Sequence, residues 1–562
     1  MDRILQQDVW HIRHDAQPQY SRDEIKLHYR RAESLVRTSG LSARDILHLT
    51  PKFWEFHFDL ISCRDMTSFI IATIHLNLCV GTIARYAERR QDLQQLLDDL
   101  LSFNTCGEFM LTEVGHGLDA RNLETVATQL TDGTYDLHSP TSAAAKAMPP
   151  TTPLPEVHRM AVVFARLIIQ GEDRGVKPFI VDLSDKGDMR NGVTSLALPT
   201  RPGTKPPDHS ITSFYHVHLP ATALLGMASK PADPRDDFLA QIWRVSVGTL
   251  SLSIMGVSAL RVGAYIAATY SQRRTITGSK GETIPIIRFG TQRRPILKAL
   301  AYGEILHAFA RWAAEEFTNG QHGDEVRMAI ATAFKVLVVR SCESLHELME
   351  RCGWQGLYTY NQVSELAATF QGNVVAEGDA MVISIRLACE LLEGKYSLPL
   401  AADRKSNLAR LEAGLFQEAS DRVALLSCHH RSESFNSKIL PQCRKLVEAA
   451  GQRMAYDAAK KSGAVFPEVL DMFEKACIAE NQGWFIENIH RRRSDILEDE
   501  DRAFDNLLPL LPELMRRTEA EPYVTAPIVD EDRWKTFVSG LPRFSTSVRN
   551  GSVSLASKKS RL

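Results

Sequence analysis

Between Phe238 and Tyr270 only Arg244 and Arg261 are charged, and apolar residues recur at helical spacing through Ile242, Leu250, Ile254, Val257 and Leu260. A helix that is apolar on every side has to be covered on every side. The stretch therefore predicts a helical bundle with one buried central helix, for which Asp236 is a candidate N-cap. Its least charged part, residues 245–260, is too short and too rich in glycine and serine to span a bilayer, and Met1 to Asp8 lacks the apolar core of a signal peptide. A soluble chain without a membrane span is expected.

A chain of 562 residues exceeds what one hydrophobic core organises, so several domains are expected. Their order follows from the period of the apolar residues. From Ser21 to Phe103 it is helical, through Phe69, Ile70, Ile71, Ile74, Leu78 and Ile83 and again through Leu93, Leu96, Leu97 and Leu100. From Thr105 to Leu225 short β-rich runs follow, notably Ala161 to Ile169, Pro178 to Val181 and Ser213 to Leu219. The proline-bearing stretches Ser139 to Pro155 and Pro199 to His209 read as long surface loops around them. After a turn at Thr277 to Gly281, helical sequence continues to Arg517, and the tail after Glu519 reads as irregular. The expected fold class is α+β, with an N-terminal helical domain (1–104), a middle β-barrel or β-sandwich domain (105–228) and two C-terminal helical bundles (229–400 and 401–562).

The formal charge of -2 gives no long-range attraction for phosphate backbones, so nucleic acid is not an expected partner. His490-Arg491-Arg492-Arg493, in a helical run from Trp484 to Leu497, is answered by Glu498 to Asp501 and reads as a charge-paired helix face; contact with an anionic substrate group such as a CoA phosphate is the alternative. The nine cysteines show no CxxC pair, which suits free thiols in a reducing compartment. His216 with His218, and Cys428-His429-His430, lack a third ligand nearby, so no metal site is expected. The ending Ser560-Arg561-Leu562 is a conservative variant of the Ser-Lys-Leu peroxisomal address and implies that organelle, with its import receptor as a partner.

Leu111-Thr112-Glu113-Val114-Gly115-His116-Gly117, followed by Leu123-Glu124-Thr125, resembles the T-E-x-G-H-G and L-E-T-x-A pattern of peroxisomal acyl-CoA oxidases, within the acyl-CoA dehydrogenase and oxidase superfamily. The resemblance covers most of residues 65 to 395. It continues through Phe164 to Ile168, Gly175 to Val181, Tyr270 to Arg274 and Phe289 to Gln292. Cys352-Gly353-Trp354-Gln355-Gly356 and Ala376-Glu377-Gly378-Asp379 then resemble the family's C-G-G-H-G and E-G-[DE]-N segments at matching separation. It implies an FAD enzyme, a homodimer, that desaturates an acyl-CoA to the trans-2-enoyl-CoA and reduces oxygen to hydrogen peroxide. Glu377 would be the base. Thr112, Gly115, Pro150, Thr151, Arg274 and Gln292 would contact the flavin, the last two at its diphosphate, and Gly378 and Asp379 would approach the substrate. From the residues alone, Val374 to Ala376 and Met381 to Ile383 flank Glu377 with apolar groups, so a partly desolvated carboxylate of raised pKa is expected there.

Where the family usually has K-W-W-P-G-G, this chain has Lys146-Ala147-Met148-Pro149-Pro150-Thr151, and Ala380 replaces the usual Asn. Proline donates no backbone N–H, so a flavin contact made by a glycine amide is lost at Pro150. These departures keep two alternatives open: the same chemistry in tailoring of a specialised metabolite, and a catalytically silent partner of an active oxidase. A related flavoprotein acting on DNA or nitroalkanes is disfavoured by the neutral charge and by Glu rather than Asp at 377.

Overall fold

The computed structural model describes residues 21–205, 207–319 and 321–544. Ser560, Arg561 and Leu562 lie outside the described residues. The main helices are α1 (Arg22–Ser39), α2 (Met66–Thr73), α3 (Gly81–Ala87), α4 (Gln94–Leu101), α5 (Trp243–Arg273), α6 (Gly290–Thr318), α7 (Asp324–Cys342), α8 (Val363–Asn373), α9 (Ala380–Leu392), α10 (Asn407–Leu425), α11 (Leu440–Ser462), α12 (Pro467–Glu480), α13 (Arg493–Leu507) and α14 (Glu531–Ser539). Between α2 and α3 the chain widens into a π-helical stretch, Ile74–Val80. Such widenings often mark functional positions, because they turn a side chain off the regular helical face.

Between α4 and α5 lie β1 (Thr105–Met110), β2 (Val126–Gln129), β3 (Tyr135–His138), β4 (Lys146–Pro150), β5 (His158–Ile169), β6 (Glu172–Asp185), β7 (Asp188–Met189), β8 (Val193–Ala197), β9 (His209–Phe214) and β10 (Val217–Leu219), and a hairpin of β11 (Thr275–Thr277) and β12 (Thr283–Pro285) follows α5. One sheet has the order β10-β3-β2-β5-β6-β7, with β1 also on β5; a second has the order β4-β9-β8. β1 runs parallel to β5, with Thr105 opposite His158 and Met110 opposite Val163, and β6 runs antiparallel to β5. β5 is buried on both faces. Met160, Val162 and Phe164 join the large helical core, while Ala161, Val163, Ala165 and Leu167 form a separate β core with Met110, Leu137 and Phe179. The two-residue strand period thus welds the β layer to the bundle.

α5 is the buried central helix anticipated from its composition, packed against α6, α7 and α8. By length and hydropathy it and Met66–Ala87 would each pass for a membrane span, but 89% of either apolar window is buried inside the protein. The segment differs from expectation at its start. Asp233, not Asp236, caps a short helix Pro234–Gln241 by accepting from the N–H groups of Arg235 and Asp236, and α5 begins after Ile242.

Three further expectations are corrected. Lys146 to Pro150 lies in strand β4 rather than in a loop; Pro149 and Pro150 are tolerated because the pairing with β9 is irregular between Ala147 and Pro150. The run from Trp484 to Leu497 is two helices, Gln482–Ile489 and α13, parted at His490 in the left-handed region. Residues 521–539, expected to be irregular, also carry regular structure. Asp530 caps α14, and Trp534 and Phe537 pack edgewise or tilted on Trp354 and Tyr360.

Candidate active site

α8 ends at Asn373 and α9 begins at Ala380, so the chain must reverse between them within Val374 to Asp379. Two left-handed residues make the reversal, Glu377 at φ 50° and Gly378 at φ 98°. Asp379 closes it as the N-cap of α9, its carboxylate accepting from Met381 N (3.0 Å) and Val382 N (3.1 Å). The carbonyl of Glu377 accepts from Thr249 Oγ1 of α5 at 2.8 Å.

This backbone delivers the half-buried Glu377 side chain onto α5 at Gly248. A Cβ on Gly248 would fall 1.2 Å from Glu377 Oε2, so only glycine leaves room for the carboxylate. Asn77 Nδ2, from the π-helical stretch, donates to Oε2 at 3.4 Å. Asn77 is itself fixed by Arg244, whose Nε donates to the Asn77 carbonyl at 2.7 Å and whose Nη2 donates to Asn77 Oδ1. Arg244 is fully buried, stacks over Trp243 and fits only because Gly81 has no Cβ in the path of its guanidinium. Burial pushes the Glu377 carboxyl up to about 7 against the opposing pull of Lys335, Arg244 and the Asn77 amide. Burial also lowers Lys335 to about 8 and Arg244 to about 9. The carboxylate is thus poised to gain or lose a proton near neutral pH, as a general base requires.

The residues expected at the flavin sort into two sets. Thr112, Val114 and Gly115 follow β1 along the edge formed with Ala143 to Ala147, the Thr112 carbonyl accepting from Ala147 N at 3.0 Å. Thr112 is half-buried, and Val114, Gly115 and Met148 are exposed, so this edge offers a hydroxyl beside apolar surface, chemistry that fits the rim of an isoalloxazine. Pro150 and Thr151 do not fit. Both are buried, the Pro150 carbonyl accepts from Arg159 Nη1 at 2.6 Å, and the Thr151 hydroxyl is shared between Ser195 and Thr212 at 2.8 and 2.7 Å. Of the diphosphate candidates, Arg274 is exposed just after α5, whereas the Gln292 amide is spent on Ser271 Oγ (2.8 Å) and the Arg351 carbonyl (2.6 Å). The Asp379 carboxylate is likewise occupied by its capping role.

Glu113, second in the T-E-x-G-H-G match, is structural. It is completely buried with Lys146 (2.9 Å) and accepts from Glu124 N (2.6 Å) and Thr125 N (2.9 Å), which clamps the two matched segments together. His216 pairs with Asp136 at 2.8 Å and stacks on His138, and no metal-holding cluster occurs among the described residues. Sequence reasoning missed Asn77, Gly248, Thr249 and Lys335 as neighbours of Glu377. Two signals were present: Arg244 and Lys335 are lone cations inside long apolar runs.

A helical bundle joined to a twofold β layer, with a carboxylate at the α8–α9 turn, is the α+β fold of the acyl-CoA oxidases. The chain superposes on acyl-CoA oxidase 1 of Yarrowia lipolytica with a TM-score of 0.77 at 17% identity, covering 99% of this chain and 94% of that one. It superposes on acyl-CoA oxidase-1 of Caenorhabditis elegans, solved with FAD and ATP, with a TM-score of 0.72 at 15% identity, covering 94% and 93%. Residues 250–392 match the acyl-CoA oxidase C-alpha1 domain. Peroxisomal acyl-coenzyme A oxidase 1 of Arabidopsis thaliana is 26% identical over 411 residues, 67% of this chain and 60% of that protein. In sequence and in fold the chain is thus similar to the acyl-CoA oxidases. It spans about 60% of the length of curated relatives it matches.

Proposed function

We propose that the protein is an FAD-dependent acyl-CoA oxidase in which Glu377 removes the α-proton of an acyl-CoA thioester. The observation that carries this reading is the placement of Glu377: a carboxylate resting on Gly248, bonded to Asn77 and pushed up to about 7 by burial. An α-proton beside a thioester is weakly acidic, so a base near neutrality, fixed before reaction, is what abstraction needs. The proton goes to a Glu377 carboxylate oxygen. The Cα–H and Cβ–H bonds break as a carbon–carbon double bond forms, and the two electrons leave with the β-hydrogen. A bound FAD supplies the acceptor for that hydride and the route by which two electrons and two protons convert oxygen to hydrogen peroxide.

Thr112 is the chain's own donor at the flavin edge in this reading, and Asn77 with Arg244 keeps the carboxylate from rotating away. Similarity to the acyl-CoA oxidases and a neighbour solved with FAD support the cofactor, and the name of the Arabidopsis relative supports a peroxisomal setting. The substrate is a fatty acyl-CoA, in keeping with the family. The inward turn of Pro150 and Thr151 favours one rival, a silent scaffold with a weakened flavin edge; purified protein lacking flavin absorbance would support it.

The test is peroxide release from purified, flavin-loaded protein offered acyl-CoAs of several lengths, beside Glu377→Gln. Wild type is expected to turn over at least one thioester. The variant is expected to keep its flavin and react at least about a hundredfold more slowly, as on removing a positioned base. Equal rates would reject the assignment.

A further inference from the structure

The Glu377 turn rests on one buried cation. Lys335, in the middle of α7, is 1% exposed, and its Nζ donates to the carbonyl oxygens of Ala376 and Gly378, each at 2.6 Å. The carbonyl between them, that of Glu377, is held by Thr249. Three successive carbonyls are therefore gripped by side chains of two different helices. A non-glycine residue in the left-handed region costs about 1–2 kcal/mol and persists only where its surroundings impose it. Here the imposing groups are identifiable.

Lysine is an expensive residue to place there. A buried ammonium is strongly disfavoured unless compensated, and both hydrogen-bond partners of Lys335 are neutral backbone carbonyls. What an ammonium offers that a hydroxyl or amide lacks is two strong charge-assisted donors from one point together with a full positive charge beside the carboxylate. The charged groups acting on Glu377 are Lys335 from α7 and Arg244 from α5, the π-helical stretch contributes only the neutral Asn77 amide, and Asp379 of the same turn acts on Lys335.

We propose that Lys335 is a positioning residue for the Glu377 carboxylate: it pins the left-handed turn through the two flanking carbonyls and supplies a positive charge that favours the ionised form. The inference rests on the reading of Glu377 as the base. It makes Lys335 a determinant of both how fast the base acts and at what pH.

The experiment compares Lys335→Met, Lys335→Arg, Thr249→Val and Glu377→Gln as flavin-loaded proteins, measuring kcat for peroxide release against pH. Lys335→Met is expected to retain flavin, to lose at least about tenfold in kcat and to move the acid limb of the profile to higher pH, because a nearby cation that favoured the carboxylate is gone. Lys335→Arg keeps the charge and is expected to hold the limb at its wild-type position with partial recovery of kcat. Thr249→Val loosens the turn without removing charge, so kcat falls while the limb stays. Should Lys335→Met not accumulate as folded protein, Thr249→Val and Lys335→Arg decide: wild-type kcat in the first, or a displaced limb in the second, overturns the proposal. A Lys335→Met protein with wild-type kcat, or one slowed with its limb unmoved, also overturns it. If instead Glu377→Gln is as active as wild type, the parent reading fails, an outcome separable from the others.

Discussion

Glu377 carries a stability cost that grows with pH. Its carboxyl ionises at about 7 in the folded chain against an ordinary 4.5. A raised acid binds its proton more tightly when folded, so the penalty is absent below the ordinary value, develops as pH rises through the interval between the two, and is complete above the higher one. At about 1.4 kcal/mol per unit, the full penalty is about 3 kcal/mol. Glu377→Gln removes the charge at nearly constant shape, and we expect it to raise stability toward denaturant at pH 8 by up to about 3 kcal/mol and to leave it unchanged at pH 4. A gain of the same size at both pH values would show that the effect is not ionisation. Gly248→Ala makes a second residue-scale prediction. The added methyl would occupy the place of Glu377 Oε2, so activity is expected to fall at least about tenfold while flavin absorbance persists. Wild-type turnover in Gly248→Ala would place the working carboxylate elsewhere.

At the scale of elements, the segments matched by T-E-x-G-H-G and L-E-T are joined by Glu113, whose carboxylate accepts from Glu124 N and Thr125 N and is held in a buried ion pair with Lys146 of β4. Glu113→Gln leaves Lys146 buried without its counter-charge and weakens two backbone bonds, which is expected to cost about 3–5 kcal/mol in chemical denaturation. A loss under about 1 kcal/mol would mean the pair is dispensable. Helical and β texture were legible here because period follows the face that is buried, as β5 and α5 show. The prolines of β4 and the helix after Asp530 were not. Irregular pairing admits proline where a regular ladder would not, and α14 is fixed by a cap and by aromatic contacts with Trp354 and Tyr360, partners distant in sequence.

For the molecule as a whole, the order of helical and β regions could be read from the chain, and the apolar residues flanking Glu377, a position singled out by its resemblance to E-G-[DE]-N, signal desolvation locally. The environment of that carboxylate could not be read. Asn77 is 300 residues away and Thr249 is 128 residues away, and no local pattern reports a contact at that range. The same limit applied to the flavin edge, where Pro150 and Thr151 are turned inward by Arg159, Ser195 and Thr212. The central proposal is that Glu377 takes a proton from a thioester substrate held beside FAD. Anaerobic mixing of flavin-loaded protein with an acyl-CoA, followed by the loss of flavin absorbance across pH, isolates that step from oxygen. The account predicts bleaching whose rate rises with pH to a plateau with a midpoint near 7, and that slows by at least about a hundredfold in Glu377→Gln. Bleaching at the wild-type rate in that variant would contradict it.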